Sequence, residues 1–257
     1  MCTNYRPTSR ELVESYFDVA PPKTAFRDDV YPGHEAPIIR LAQEQGKPTT
    51  ARECVPAVFG LIPIWSKDGK NFRHTYNART NSVFDKPSYR NAWRKRQFCI
   101  VPMDAFYEPN YETGKPVRWR IEREDRAPFG VAAIYDFWKS PTDDWITSFS
   151  LLTVNADDHP VMGRFHPPGD EKRSIVAIDP PFFDEWLNAT TDEALRFFAP
   201  VAVESFTTLP DPKATKATSS PSNHAATELI QRRSGQSYAR NSRGQSSATC
   251  RSAAHWA

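Results

Sequence analysis

The second residue of the chain is Cys2, and the small residue that follows Met1 permits removal of that methionine. What remains is a 1,2-aminothiol. Its amine can condense with an aldehyde to give a Schiff base, and its thiol can then close on the imine to give a thiazolidine. Both groups suit this work near neutral pH. An α-amine titrates near 8, which leaves about a tenth of it neutral at pH 7. The thiol, near 8.5, attacks as its thiolate.

Three further segments carry residues that could assist. In YNARTNSVFDKPSYRNAWRKRQ, residues 76–97, Asn77 and Arg79 stand just before a turn, and six Lys/Arg fall between Arg79 and Arg96 with Tyr89 and Trp93 among them. Cations mixed with aromatics suit a single-strand groove, where phosphates meet charge and bases stack; a solvated charged helix is the plainer alternative. In CIVPMDAFYEPN, residues 99–110, an apolar strand runs into Glu108 beside Phe106 and Tyr107. A carboxyl there is a candidate for a raised pKa and general-acid work, or simply a surface glutamate at a strand end. In VNADDHPVMGRFHPPGDEKRSIVAI, residues 154–178, His166 sits in a Pro/Gly-rich loop that enters a strand. Strand-held loops often present catalytic histidines.

The elements that must position these groups read as α+β: a mixed, barrel-like β-sheet core with peripheral helices in a single domain. TSRELVESYF, residues 8–17, predicts a helix with a Thr8–Glu11 capping box. CVPAVFGLI, QFCIVP, PVRWRIE, FGVAAIYDF, WITSFSLLTV and SIVAI predict strands. SYRNAWRKR predicts a short helix capped by Ser88, and PFFDEWL and TDEALRFF predict closing helices. Strands crowd the middle without regular alternation with helices, which argues against a doubly wound sheet. Residues 2–204 read as the folded domain, long enough for one core burying about 70% of the unfolded surface. Residues 205–257 read as a disordered, low-complexity basic tail with seven Lys/Arg against two Asp/Glu.

Composition narrows the classes. Apolar residues make up 39% of the chain and aromatics 12%, values of a globular protein. No apolar run reaches the roughly 20 residues of a membrane span, and the first residues lack a signal-peptide core, so a cytoplasmic protein without membrane association is expected. Cys2, Cys54, Cys99 and Cys250 show no zinc spacing; no metal and no cofactor is expected. The net charge of +2 does not mark a nucleic-acid binder, so any such role must rest on local patches.

Taken together, Cys2, the NAR segment at 77–79, the FYE segment at 106–108 and the M-x-x-F-H segment at 162–166 resemble the SRAP family, the SOS-response-associated peptidases or abasic-site-processing proteins. Ala36-Pro37, GLIPIW at 60–65, KPSYR at 86–90 and Trp186-Leu187 agree with it. The resemblance implies that Cys2 is the covalent nucleophile, that Asn77 orients it, that Glu108 assists proton transfers at the imine, and that His166 protonates the sugar oxygen during ring opening and supports reversal. It implies phosphate contacts from Arg79 and Arg90 and a DNA-lining place for Trp65 and Phe59. Departures fall at Thr3 and Asn4, where the family commonly reads Gly-Arg, at Asn81, at Pro109, and after His166, where Lys172 or Arg173 must supply the charge that usually follows.

The expected activity is covalent capture of abasic sites in single-stranded DNA, with adduct reversal or β-elimination as further outcomes, by a monomer that is nucleoid-associated when bound to DNA. A Cys2-dependent thiol peptidase or amidase, and a non-catalytic single-stranded-DNA-binding protein, are the alternatives.

Overall fold

The computed structural model describes residues 2–44 and 47–213. In chain order these form β1 (Asn4–Pro7), α1 (Arg10–Phe17), β2 (Glu35–Glu44), β3 (Lys47–Phe59), β4 (Asn77–Arg79), α2 (Arg90–Arg94), β5 (Phe98–Asn110), β6 (Val117–Arg123), β7 (Phe129–Lys139), β8 (Trp145–Asn155), β9 (Arg173–Ile175), β10 (Ala177–Ile178), α3 (Phe183–Asn188) and β11 (Phe206–Pro210). All the strands join one mixed, 11-stranded sheet. Its path runs β10–β7–β8–β3–β2–β5–β6–β11, with β1 on β5 and with β4 and β9 on β8. Because β5 also pairs β7 antiparallel from Phe98 to Met103, the path β7–β8–β3–β2–β5 returns to its first strand.

Alternation along β5 and β7 explains why one sheet serves two cores. Successive side chains of a strand point to opposite faces. Cys99, Val101, Met103, Val131, Ala133 and Tyr135 join a cluster with Tyr5, Phe59, Phe149 and Phe165. Phe98, Ile100, Ala132 and Ile134 join the other, which also takes Val13 and Phe17 of α1, Trp93 of α2 and Trp186 of α3. The helices thus cover one face, and the other cluster takes in Cys2. Buried on both faces, β5 and β7 read in the sequence as continuous apolar runs, whereas β6, with only Ile121 fully buried, reads as alternating.

Local details depart from the expected ones. Ser9, not Thr8, caps α1, accepting from the Leu12 N–H. Tyr89 rather than Ser88 precedes α2 and gives no side-chain cap. Residues Glu193–Phe197 form a 3-10 turn instead of an α-helix. The folded unit also extends past residue 204, because β11 pairs with β6 from Phe206 to Pro210. Ile121 opposite Thr208 lies in that ladder, so the segment read as the start of the tail belongs to the sheet. The rest of the expected tail, 214–257, lies outside the described residues. Among the described residues no helix is long and apolar enough to cross a membrane.

Candidate functional site

Register brings the expected residues together. β1 lies antiparallel to β5 with Asn4 opposite Tyr107, which delivers Cys2 to the end of β5 that holds Glu108. β4 runs parallel to β8 with Asn77 opposite Leu151. From there the Asn77 side-chain amide donates from Nδ2 to the Cys2 carbonyl at 2.9 Å. The Tyr89 hydroxyl donates to the Asn77 carbonyl at 3.0 Å and ties the start of α2 to the same strand. NAR forms a short strand that runs directly into a turn at residue 80; Asn77 and Ala78 are buried, and Arg79, at the strand's last position, is exposed.

His166 follows a 3-10 turn, Met162–Arg164, and takes the left-handed backbone conformation at φ 69°. That conformation is uncommon outside glycine and must be held by its surroundings. Its N–H donates to the Pro109 carbonyl at 2.9 Å. The Lys172 ammonium donates to the carbonyls of His166 at 3.2 Å and Pro167 at 2.7 Å. The ring Nε2 then lies 3.2 Å from Glu108 Oε2, with both side chains buried.

The electrostatics follow from that burial. Removal from water pushes the Glu108 carboxyl from 4.5 up to about 7, so it exchanges protons at neutral pH. Burial, and after it the Glu108 carboxylate, raise the Cys2 thiol well above its ordinary value. Its Sγ donates to the Asn4 carbonyl at 3.5 Å. Asn77 Oδ1 is a buried acceptor without a hydrogen-bond partner among the described residues. It therefore has capacity for a donor such as an amine. Tyr76, which the sequence did not single out, is part of the same environment: burial raises its phenol, and Glu108 and Cys2 add to the effect.

The residues expected to meet DNA divide. Arg79 is about half exposed and pairs with Glu171 at 2.9 Å. Arg90 is exposed at the first position of α2. Trp65 is 54% exposed, and its indole N–H donates to the Pro87 carbonyl at 3.4 Å, beside the KPSYR run. Upstream of Trp65, Gly60 takes φ 107°, and a Cβ there would strike the main chain of Phe72. Phe59 is corrected: it is fully buried, stacked on Phe149 at 5.2 Å and edge-on to Tyr76 at 5.9 Å. It supports the floor of the site and does not reach its surface. Of the two candidates for the charge after His166, Arg173 is buried against Thr153 and Glu171, and Lys172 holds the histidine's backbone.

The model of one family, SOS response associated peptidase (SRAP), matches residues 1–214. The chain belongs to the SRAP family. Its similarity to the abasic site processing protein YoqW of Bacillus subtilis is 29% identity over 131 residues, 51% of this chain and 55% of that protein. To mouse HMCES, also named an abasic site processing protein, it is 22% over 211 residues, 66% of this chain and 56% of that protein. The matches thus span little more than half the length of these SRAP relatives. A crystal structure of a Bordetella bronchiseptica protein superposes with a TM-score of 0.74 at 31% identity, covering 82% of this chain and 99% of that one. A Bacteroides thetaiotaomicron structure at 20% identity and TM-score 0.68 shares the fold.

Proposed function

We propose that this SRAP protein processes abasic sites in single-stranded DNA by forming a covalent adduct through Cys2 after loss of Met1. The observation that carries the reading is the convergence of a buried carboxyl–imidazole pair, Glu108 and His166 at 3.2 Å, on the residue whose aminothiol would be terminal. The names of the Bacillus and mouse relatives support the substrate class.

Abasic deoxyribose is in equilibrium with an open-chain aldehyde. His166 protonates the ring oxygen as the ring opens. The Cys2 amine attacks C1′, and Asn77 Oδ1 accepts one of its hydrogens. The carbinolamine loses its hydroxyl as water, with the proton supplied by Glu108, whose pKa of about 7 suits donation and recovery at neutral pH. Sγ then bonds to C1′, and the thiol proton passes to nitrogen. One water leaves for each thiazolidine formed. Because its pKa is raised, the thiol is a poor opening nucleophile, so the amine acts first. The same feature weighs against a thiolate peptidase, which needs a lowered pKa. Arg79, Arg90 and Trp65 hold the strand through phosphates and stacking.

The test is a denaturing gel. Uracil-containing single strands treated with a glycosylase should give a shifted band with the wild-type protein and none with Cys2→Ala. Absence of the wild-type band, or equal bands from both proteins, sinks the covalent reading. Salt-sensitive binding that Cys2→Ala leaves intact, with no covalent band, identifies a non-catalytic binder instead.

A further inference from the structure

A cation outside the chemistry just described holds the start of the chain. Arg118, on β6, stacks its guanidinium 3.3 Å from the ring centroid of Tyr107, the neighbour of Glu108. Its Nε and Nη2 donate to Asn4 Oδ1 at 3.1 and 2.9 Å. Nη2 also reaches Asp29 Oδ1 at 3.2 Å, and Nη1 donates to the Asp211 carboxylate at 3.0 Å and carbonyl at 3.1 Å. The other end of the Asn4 amide, Nδ2, donates to Asp29 Oδ1 and to the Val30 carbonyl, each at 3.3 Å. Asn4 is buried and bonded on both sides.

We infer that Arg118 is a positioning residue for the Cys2 aminothiol and acts through Asn4; the inference rests on the covalent role of Cys2 proposed above. The last cross-strand partner of β1 is Asn4, opposite Tyr107, and Cys2 lies beyond it. Terminal residues fray unless tied down; Asn77 holds the Cys2 carbonyl from one side, and the place of Cys2 depends also on what fixes residue 4. A planar guanidinium grips one oxygen with two donors, stacks on an aromatic face and still reaches two carboxylates. A lysine ammonium is a point charge and cannot do all of these at once. The position matters because a misplacement of about 1 Å in a reacting group can cost on the order of 10²-fold in rate.

The test compares wild type with Arg118→Lys, Arg118→Ala and Asp211→Ala at a temperature where each is folded. Asp211→Ala loosens the same cluster but leaves the Asn4 contacts, and so controls for lost stability. Three quantities are read: the adduct rate at saturating abasic single strand, the DNA concentration at half that rate, and thiazolidine formation with glyoxylate by intact mass. Both Arg118 variants should lose roughly 10- to 100-fold in the saturated rate, with half-saturation unchanged and the glyoxylate reaction as fast as in wild type. Asp211→Ala should keep the wild-type rate. If Arg118→Ala does not fold, Arg118→Lys decides alone. A wild-type saturated rate in Arg118→Lys overturns the inference, as does an equal loss in the glyoxylate reaction. If wild type itself gives no Cys2-dependent DNA adduct while reacting with glyoxylate, the proposed function has failed and the positioning role falls with it.

Discussion

Replacing Glu108 with Gln should make the protein more stable and less active, with the gain in stability appearing only as pH rises. Glu108 is buried, and burial moves its pKa from 4.5 to about 7. The folded state therefore binds this proton more tightly than the unfolded state does. Below about pH 4.5 the carboxyl is protonated in both states and costs the fold nothing. Between pH 4.5 and 7 the unfolded carboxyl ionises freely and the folded one does not, so stability falls through this window. Above pH 7 the loss is constant, at about 3 kcal/mol for a displacement of this size. Gln is isosteric and neutral at every pH. Any hydrogen bond it forfeits at His166 adds an offset that does not vary with the charge state of residue 108. The measurement is urea unfolding of both proteins from pH 4.5 to 8, with mass spectrometry confirming the same N-terminus in each. The stability of Glu108→Gln relative to wild type should rise by about 3 kcal/mol, on the order of 1 M urea in the midpoint. In parallel its adduct rate should fall by about 10²–10⁴-fold, the usual contribution of a positioned acid. A difference that stays flat across this range, or that turns against Gln at high pH, refutes the assignment of a raised pKa and with it the acid role.

Phe59→Ala should cost about 3–5 kcal/mol by leaving a cavity under Tyr76 and Phe149, while the folded fraction keeps wild-type single-strand affinity; selective loss of affinity would return Phe59 to the DNA surface. Trp65→Ala should change stability by less than about 0.5 kcal/mol and weaken single-strand binding by about 1–3 kcal/mol, as read by fluorescence titration. Arg79→Ala breaks a half-exposed ion pair worth about 0–1 kcal/mol and should reduce the slope of log affinity against log salt by about 0.7. An unchanged slope would show that Arg79 meets no phosphate.

The apolar strands were legible because burial on both faces writes itself into composition: residues 98–103 and 129–135 carry few polar side chains and pair directly. The four candidate site residues stand in motifs readable from the sequence, and the register of β1 on β5 and of β4 on β8 explains why such distant segments meet. What stayed hidden has a common cause. β1, β4 and β11 are short and polar, and they form because a neighbouring strand offers its edge, which no local pattern records. The burial of Phe59 went unread because an aromatic near a motif looks the same whether it lines a surface or supports one. Lys172 and Arg118 act through backbone carbonyls and an amide from segments remote in sequence, and their sites exist only once those segments are adjacent.

The sealed thiol of Cys2 also bears on durability. Sulfur that keeps its proton and is 1% exposed reacts slowly with peroxide and with alkylating reagents, which attack accessible thiolates. A dose of oxidant that consumes accessible thiolates should leave this sulfur intact, and irreversible labelling should begin only when β1 peels away from β5.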